Sequence, residues 1–587
     1  MVSMRSSPAV PRRIALALVA GLAGCSDVPE RAADQPRAQL DGGSAGSRPG
    51  SSDGGEAGRP PVREDAGDHT PDARAPVRDG GASSPDAAGP DDPAFQRPDG
   101  GAEYTPEPGA CGFDQPAFCD AFEQGPRQGG RSGELDPARW SVLRAGPSDH
   151  PDFGAAFTVG PTLLPACRAD LPRTVLPDSD VLICDPVDAV PTRHLLTAAA
   201  AQNYGLSTYR IRQPFDFAGR TGTIKLDVDL SNNGLGGWPA IVIAQDPSPA
   251  PSFDWEERGS GPRNGLAIEL SGGWCNTPKT LEVGLYTFRD YVQTAMRPSF
   301  DCETPHTTTQ RDHLNHVEIY LSRDRLEVWA SEPSPDGRTF PNFQRLLAVD
   351  LDLPFARGYV SLVVRNHATM KYWVGSAWTA RWDNVGFDGP IATGLREHSV
   401  PDSLTVTHGL DGCMVGGECK WRGEVIAANP GDDSVCTPEN NCSFPGEGRN
   451  TGYVIPNPDE PPVKLTIPDV DTSGATRARL ALAATYPWFE WNGVNMPPTA
   501  MNLRYRLNGG AWHDRFVTAE EANAFTDFSP EIGGAGHGAG LLNQIIELDL
   551  AELHAGDNQL ELHGAGTWTG SYRIGVVGLD LLLDTGS

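Results

Sequence analysis

Short runs in which apolar and polar residues alternate dominate the chain from residue 109 onward. Between Thr223 and Leu230, every second residue from Ile224 onward is apolar, and the residues between them are polar. Because successive side chains of a β-strand point to opposite faces, such a run places one face on a core and the other toward solvent. No stretch of comparable length has a convincing helical period. The alternation therefore predicts an all-β fold built from antiparallel sheets.

The first part of this region carries the clearest strand signals. Val317–Leu321 and Leu326–Trp329 both alternate, and the polar segment Ser322–Arg325 between them predicts a hairpin. We predict an antiparallel β-sandwich over residues 109–392. Its further predicted strands are Tyr209–Gln213, Ala267–Leu270, Leu281–Thr287, Tyr359–Val364 and Ala380–Phe387.

Residues 393–587 form a second predicted unit with the same rhythm. Arg479–Leu482 and Leu503–Leu507 alternate, and Asn508–Gly510 supplies residues that adopt the positive φ of a tight hairpin. The segment Thr518–Glu521 has capping-box spacing, which predicts one short helix. We therefore predict a second β-sandwich, interrupted by a single helical turn.

Short phrases in both units resemble known carbohydrate-associated folds. The first unit carries Phe118-Cys-Asp-Ala-Phe122, Leu135-Asp-Pro-Ala-Arg-Trp140, the hairpin and Ala380–Phe387 in an order that resembles concanavalin A-like lectin/glucanase domains. Those domains are jelly rolls that bind carbohydrate or, in family-16 glycoside hydrolases, cleave it. In the second unit, Leu553–Leu562 resembles the closing strands of galactose-binding-like jelly rolls, a class that includes many carbohydrate-binding modules.

One literal match to a catalytic motif lies outside the lectin-like unit. Retaining glycosidases need two carboxyl groups about 5–5.5 Å apart, and the family-16 enzymes supply them as Glu-x-Asp-x-x-Glu on one strand. The lectin-like unit contains no such segment, whereas Glu547-Leu-Asp-Leu-Ala-Glu552 matches it. Few residues follow this match, so the strands that complete a glucanase jelly roll would be missing. We interpret it as a chance match on an alternating strand.

Within the lectin-like unit, Asp227 and Asp229 are the nearest candidates for a catalytic pair. They lie at positions i and i+2 of one predicted strand and face away from its apolar residues. We interpret them as a solvated face, and the acidic cluster Asp254–Glu257 as a loop. The sequence therefore predicts no catalytic residues.

Several tryptophans are candidates for stacking on sugar rings. Proteins hold sugars with aromatic faces flanked by hydrogen-bonding Asp, Asn, Arg or Gln side chains. The alternative for each ring is packing in a sandwich core, the role that we assign to Trp140, Trp329 and Trp382. The predicted ligand-binding residues are Trp238, Trp255 and Trp274 in the first unit and Trp488, Trp491 and Trp512 in the second.

The N-terminus has the pattern of an export signal. Three arginines precede the apolar run Ile14–Ala20, and Leu22-Ala23-Gly24-Cys25 then resembles the lipobox of bacterial lipoproteins. By that resemblance residues 1–25 are a lipoprotein signal peptide and Cys25 carries the lipid. The alternative is an ordinary secretory signal with a chance Cys. We expect a lipid-anchored protein of the bacterial cell envelope, at the outer membrane or cell surface.

Residues 26–108 have the composition of a disordered linker. They contain only six large apolar or aromatic residues, and Asp-Gly-Gly recurs four times without any strand or helix period. Such a stretch cannot bury enough apolar surface to offset its chain entropy. The whole chain carries a net charge of −30, which argues against nucleic acid as a partner.

Ten cysteines remain after Cys25, and an even number in an exported chain predicts disulfides. We expect Cys111–Cys119, Cys167–Cys184 and Cys275–Cys302 as local pairs. Among the last four cysteines three connectivities stay open, and the alternative of a zinc site conflicts with their spacing. These four are Cys413, Cys419, Cys436 and Cys442.

No other metal site is predicted. His313 and His316 are three residues apart in a segment that leads into a strand, where such positions point to opposite faces. Asp469–Gly474 opens like a calcium loop, but its twelfth position is Leu480 rather than Glu. We predict no cofactor, although calcium elsewhere in the jelly rolls stays compatible with the sequence.

Together these features predict a cell-surface lipoprotein that displays two β-sandwich domains on a disordered tether and binds a polysaccharide or glycan without catalysis. Two rival hypotheses stay open. One is a diverged glycoside hydrolase or polysaccharide lyase, and the other is a structural or adhesion protein whose partner is another protein.

Overall fold

The structure is a computed structural model of the chain. All described residues lie within one compact unit, Pro85–Ser587. They are residues 97–98, 103–105, 111–124, 135–145, 179–184, 192–200, 206–230, 237–247, 261–271, 281–298, 314–335, 339–366, 377–399, 407–408, 413–415, 418–420, 450–451, 453–454, 462–491, 494–495, 502–522, 526–527, 537–565 and 575–586.

The part of the chain that the structure describes has eighteen strands in the first half of the fold, sixteen in the two sheets of the sandwich and two in a separate two-stranded sheet. They are β1 (Glu103–Tyr104), β2 (Phe118–Asp120), β3 (Trp140–Ala145), β4 (Ser179–Cys184), β5 (His194–Ala200), β6 (Leu206–Ile211), β7 (Phe215–Asp216), β8 (Gly222–Asp229), β9 (Gly237–Ala244), β10 (Asn264–Ser271), β11 (Glu282–Arg289), β12 (Val292–Pro298), β13 (Leu314–Leu321), β14 (Arg325–Ser331), β15 (Phe340–Pro341), β16 (Gln344–Asp350), β17 (Arg357–Asn366) and β18 (Ala377–Phe387).

Two antiparallel sheets form this sandwich. Sheet 1 has the strand order β16-β14-β13-β8-β18-β5-β4, and β2 also pairs with β18. Sheet 2 has the order β12-β11-β10-β9-β17-β6-β3, and β7 also pairs with β17. The predicted hairpin is confirmed as β13 and β14, which pair antiparallel.

The core of the first sandwich lies between these sheets. The alternating residues Ile224, Leu226 and Val228 of β8 are fully buried in it, as the sequence pattern predicts. Trp140 and Trp382 are also fully buried there. Trp329 is buried, but its indole lies on the opposite face of β14 from the core residues Leu326 and Val328. Its predicted burial is therefore confirmed (4% exposed), although it packs outside the cluster that fills the space between the two sheets.

Besides the 3₁₀ turn Leu550–Glu552, the described elements of the second half of the fold are eleven strands in two sheets, two separate strand pairs and one α-helical turn. They are β19 (Leu395–Ser399), β20 (Thr407–His408), β21 (Cys413–Val415), β22 (Glu418–Lys420), β23 (Asn450–Thr451), β24 (Tyr453–Val454), β25 (Val463–Val470), β26 (Ala475–Trp491), β27 (Val494–Asn495), β28 (Asn502–Leu507), β29 (His513–Phe516), α1 (Ala519–Ala522), β30 (Thr526–Asp527), β31 (His537–Leu548), β32 (Gly556–Ala565) and β33 (Gly575–Thr585).

Its core also lies between two antiparallel sheets. Sheet 3 has the order β19-β33-β26-β31-β30, with β24 and β27 paired at its side, and sheet 4 has the order β25-β32-β28-β29. Leu480 and Leu482 of sheet 3 pack with Leu503 and Leu560 of sheet 4. The all-β prediction is thus confirmed for both units.

Two local sequence signals in the second sandwich form as predicted. Asn508 and Gly509 have φ values of 50° and 72°, so the turn between β28 and β29 uses the left-handed region that Asn and Gly tolerate. The Glu521 amide donates to Thr518 Oγ1 (3.1 Å), and the Thr518 amide donates to Glu521 Oε2 (3.0 Å). This reciprocal pair is the capping box that starts α1.

The two sandwiches meet across the outer face of sheet 2. Ser141 and Arg210 alternate with core residues on β3 and β6 and are fully buried. The Ser141 hydroxyl donates to Asp580 Oδ2 of β33 (2.6 Å), and Arg210 donates to Glu397 of β19 (3.1 Å). Arg210 and Arg212 both ion-pair with Glu397 and lie 3.5 Å from Asp580. A buried charge network therefore joins the sandwiches.

Part of the segment predicted as a linker is structured. Within the segment predicted as linker, Arg97 and Tyr104 are 8% exposed, and β1 pairs with β15 of the first sandwich. The prediction of disorder up to residue 108 is therefore wrong for these residues, because they pack on a distant hairpin that local composition does not reveal. The rest of residues 1–96, including Cys25, lies outside the described chain.

The predicted disulfide Cys111–Cys119 is present. Cys184 is also disulfide-bonded, while Cys167, its predicted partner, lies outside the described residues. No helix in the described part of the chain is long and apolar enough to cross a membrane. The remaining predicted disulfide residues have no described side chains: Cys275, Cys302, Cys413, Cys419, Cys436 and Cys442.

Candidate functional site

Trp512 is the predicted ligand-binding tryptophan whose side chain the structure describes. The backbone places Trp238 on β9 and both Trp488 and Trp491 on β26, but their side chains are not among those described. Trp255 and Trp274 lie outside the described residues. Trp512 is therefore the candidate ligand-binding residue whose surroundings are known.

Trp512 is partly exposed and follows the turn that ends β28. The guanidinium carbon of Arg506 lies 4.5 Å from the centre of the indole, and that of Arg504 lies 5.8 Å away. The His563 ring of β32 is 5.8 Å from the indole, tilted by 52°. Cationic groups over an aromatic face stabilise its position.

These contacts place the indole on the outer face of sheet 4. On β28, Arg504 and Arg506 alternate with the core residues Leu503, Tyr505 and Leu507. The next strand follows the same pattern, because Arg504 pairs in register with His563 and Arg506 with Glu561. The outer face of sheet 4 is therefore polar and carries a partly exposed indole.

Phe516 lies on the same face and was missed by the sequence analysis. Its side chain is 54% exposed, which is unusual for so large an apolar residue. Asp514 faces outward with Arg504, and Phe516 shares its orientation as residue i+2 of β29. The even spacing of two aromatic residues around a polar run, Trp512-His-Asp-Arg-Phe516, is the signal that could have found it, because positions i and i+4 of a strand share a face.

We call the surface formed by Trp512, Asp514, Phe516, Arg504 and Arg506 the platform. Its charged members are paired: Arg504 Nε donates to Asp514 Oδ1 (2.9 Å), and Arg506 donates to Glu561 Oε2 (2.7 Å). Asp514 and Arg504 are 43% and 37% exposed, whereas Glu561 is 3% exposed. The platform combines one exposed ring, Phe516, and one partly exposed ring, Trp512, with hydrogen-bonding donors and acceptors.

The predicted solvated face of β8 is, by contrast, covered. Asp227 and Asp229 are each 2% exposed, so the expectation that they are solvated is wrong. Across three neighbouring strands, His316, Asp227 and Asp383 stand opposite one another in register. Because all three lie on the side of sheet 1 that faces away from the core, they form a buried polar row.

Hydrogen bonds and ion pairs tie this row together. His316 Nδ1 lies 2.5 Å from Asp227 Oδ1, and Asn384 Nδ2 donates to Asp227 Oδ2 (2.7 Å). Asp229 accepts from Arg381 (2.9 Å), and the Thr192 hydroxyl donates to Asp383. Both aspartates proposed as a pair are therefore bound by neighbouring donors.

The same environment separates the pKa values of two carboxyl groups. Burial and then the charge of Asp227 raise the pKa of Asp383 to about 8. Burial alone would raise the pKa of Glu318, but the hydrogen bond and charge of His316, followed by Lys225 and Tyr320, lower it to about 2. Asp227 and Glu318 raise the pKa of His316 against the opposing effect of its burial.

Two residues from the N-terminal part of the described chain, Arg97 and Tyr104, pack against this buried row and its neighbours. The Tyr104 ring stacks on the His316 ring at 3.9 Å, and the Arg97 guanidinium lies 3.2 Å from Glu318 and 4.0 Å from the Phe343 ring centre. Lys225 Nζ lies 3.4 Å from the same Glu318 oxygen. The row is thus a closed charge network beneath a covering strand.

The three carboxylates of the glucanase-like match have separate structural roles. Glu547, at the end of β31, ion-pairs with Arg477 (2.8 Å). Asp549 caps the short turn Leu550–Glu552 by accepting from the Ala551 amide, and Glu552 lies 2.9 Å from His513. They do not share one strand face, which is consistent with a chance match.

Within the described residues, no group of three His, Cys, Asp or Glu side chains is arranged to hold a metal ion. His313 lies outside them, and His316 belongs to the buried row. The predicted turn at Asp469–Gly474 contains an Asp471 carboxylate that accepts from the Ser473 amide (2.9 Å) and lies 3.0 Å from Arg396.

Neither a protein-family model nor a curated protein sequence matches the chain. The chain is similar to the VIP36 exoplasmic/lumenal domain in its Ca²⁺/Man3GlcNAc-bound form (14% identity, 37% of this chain, 86% of that one, TM-score 0.23). It is similar to the GH16 protein of the Bacteroides ovatus mixed linkage glucan PUL in complex with its product (11% identity, 46% of this chain, 99% of that one, TM-score 0.27). It is also similar to the catalytic domain of a Thermotoga petrophila laminarinase (13% identity, 46% of this chain, 96% of that one, TM-score 0.25). At these TM-scores, the fold assignment rests on the sheets described above.

Proposed function

We propose that this protein is a cell-surface lipoprotein that binds a glycan through the platform on its second sandwich and does not cleave it. The observation that carries the proposal is the exposure of Trp512 and Phe516 on one sheet face, with an ion pair between them. Sugar rings present apolar C–H surfaces that stack on aromatic faces and hydroxyls that bond to charged groups.

The contacts of the candidate catalytic carboxylates, Asp227, Asp229 and Glu547, favour binding without cleavage. A retaining glycosidase needs two carboxyl groups that face one substrate, one of them able to attack it. Asp227 and Asp229 are buried and hydrogen-bonded, and Glu547 forms an ion pair with Arg477. These contacts support a protein that binds without catalysis.

The second part of the proposal is a lipid anchor at Cys25. The lipobox-like sequence at Cys25 supports attachment to the cell envelope, at the outer membrane or cell surface. Globomycin should then block processing of the precursor, and Cys25→Ser should abolish labelling by a fatty acid. Normal processing of the Cys25→Ser chain would contradict the anchor but leave glycan binding in place.

Binding is tested by retention of the processed chain on immobilised polysaccharides. We expect Trp512→Ala to weaken retention at least tenfold, because the stacked ring is lost. Ile391→Ala is the matched control, since Ile391 is an apolar side chain, 66% exposed, in the segment between β18 and β19 and not on a strand of sheet 4. Equal loss in both variants would contradict a role for the platform.

Catalysis is tested separately by release of reducing sugar from any polysaccharide that is retained. We expect none above the level of a buffer blank. Release that disappears in Asp227→Asn or Glu547→Gln would contradict the non-catalytic function and favour a diverged hydrolase.

A further inference from the structure

We infer that the platform accepts a neutral, linear glycan laid along β29 and rejects polyanionic glycans. This inference rests on the proposed function and adds the class of ligand. It follows from the spacing of the two rings, from the charges between them, and from the charges around them.

The spacing of the rings sets the shape of the ligand. Phe516 ends β29 and Trp512 directly precedes this strand, so the two residues are four positions apart. Because a strand advances about 3.3 Å per residue, their backbone positions are about 13 Å apart. A single sugar ring cannot cover that distance. A ligand that uses both rings is therefore an extended chain of several sugars.

The gap between the rings holds both a donor and an acceptor. Asp514 lies midway between the rings in sequence, and its carboxylate pairs with Arg504 at 2.9 Å. Both side chains are more than a third exposed, so they can exchange part of this pair for bonds to a ligand. Neighbouring hydroxyls of a neutral sugar can donate to Asp514 and accept from Arg504.

An anionic sugar is disfavoured at the same place. Its carboxylate or sulfate would approach Arg504 only beside the Asp514 carboxylate, and like charges at this distance repel. The guanidinium of Arg506 is already neutralised by Glu561, which is 3% exposed. His563 is 7% exposed and packs against Trp512.

The charges farther from the rings do not make the electrostatic potential at the platform positive. Lys464, a further cation on this face of the described strands, lies on β25 opposite Glu561. It is three strands from β29, about 14 Å at the usual strand separation. The chain as a whole carries a net charge of −30, which repels a polyanion at long range.

The first test varies the length of the ligand. Linear neutral oligosaccharides of increasing length, prepared from whichever immobilised polysaccharide retains the processed chain, are titrated calorimetrically. We expect affinity to rise with length until the oligosaccharide covers both rings. Phe516→Ala should remove that rise while leaving short oligosaccharides unaffected, and it should fold normally because the ring is exposed. A length-independent affinity in the unmodified protein would overturn the two-ring geometry.

The second test varies the charge of the ligand. Neutral glucans, mannans and xylans are compared with polygalacturonate, alginate and chondroitin sulfate at low and high salt. We expect at least tenfold tighter binding of a neutral glycan, little changed by salt. Tighter binding of an acidic glycan that weakens with salt and is lost in Arg504→Gln would overturn this inference and leave glycan binding intact. Binding to no glycan of either class would overturn both.

Discussion

Single side chains decide how the polar face of sheet 1 behaves. The alternation in β8 correctly predicts which residues enter the core, because strand geometry turns every second side chain inward. It could not show that Asp227 and Asp229 are buried, because Tyr104, which stacks on the His316 partner of Asp227, and Arg381, which binds Asp229, lie more than a hundred residues away in the sequence. Local pattern defines the faces of a strand, whereas distant contacts decide whether solvent reaches them.

Asp383 is expected to make stability fall as pH rises. Its native pKa of about 8 exceeds the ordinary value of 3.8, so between these values the folded chain keeps a proton that the unfolded chain loses. The free energy of unfolding contributed by this group is therefore highest below about pH 4 and falls up to about pH 8. Asp383→Asn cannot ionise and should be more stable than the unmodified protein at pH 8.5, by roughly 2–5 kcal/mol, since one pKa unit is worth about 1.4 kcal/mol.

The measurement is denaturant unfolding of both proteins at pH 4.5 and pH 8.5. The gain from Asp383→Asn should shrink strongly at the lower pH. Asp350→Asn, at an exposed position on β16, serves as the control and should show no such gain. A constant difference between the two pH values would contradict an elevated pKa.

Among the strands, β1 and β29 lie in segments whose composition does not predict a strand. β1 is two residues long and sits in a segment rich in Gly, Pro and Asp, yet it pairs with β15. β29 was not predicted as a strand, although the hairpin turn before it was. Phe516 was not predicted because a single Phe after three polar residues is a weak signal until the strand that aligns it with Trp512 is known.

The covering strand β1 should contribute measurably to stability. Tyr104 is 8% exposed, stacks on His316 and packs near Phe340, so Tyr104→Ala removes a ring from a closed site. We expect a loss of about 3 kcal/mol, typical of truncating a buried aromatic side chain. The neighbouring, exposed Glu103→Ala is the matched control and should change stability by less than about 0.5 kcal/mol. Equal stability of Tyr104→Ala and the unmodified protein would show that the segment does not cover the row in solution.

For the molecule as a whole, the buried network between the sandwiches predicts that they unfold together. Arg210 has no exposed side-chain area, and its charge is balanced by Glu397 and Asp580 of the second sandwich. Glu397→Gln leaves this buried guanidinium short of one partner, which typically costs about 3–5 kcal/mol. The sequence could not reveal this network, because its members come from two units predicted separately.

Differential scanning calorimetry tests that coupling. The unmodified protein should show one cooperative transition for the two sandwiches, and Glu397→Gln should split it into two. Arg396→Ala, at the adjacent exposed position of β19, should leave the single transition in place. Two separate transitions in the unmodified protein would mean that the sandwiches are independent.

Glycan binding at the platform is tested most directly by comparing three chains on one panel of immobilised neutral and acidic polysaccharides. The chains are the unmodified protein, the double variant Trp512→Ala/Phe516→Ala and the control Ile391→Ala. We predict that at least one neutral polysaccharide retains the unmodified protein and the control equally, and that the double variant is retained at least tenfold more weakly. Retention of the double variant at the level of the unmodified protein, or retention of no chain on any polysaccharide, would contradict a glycan-binding platform on the second sandwich.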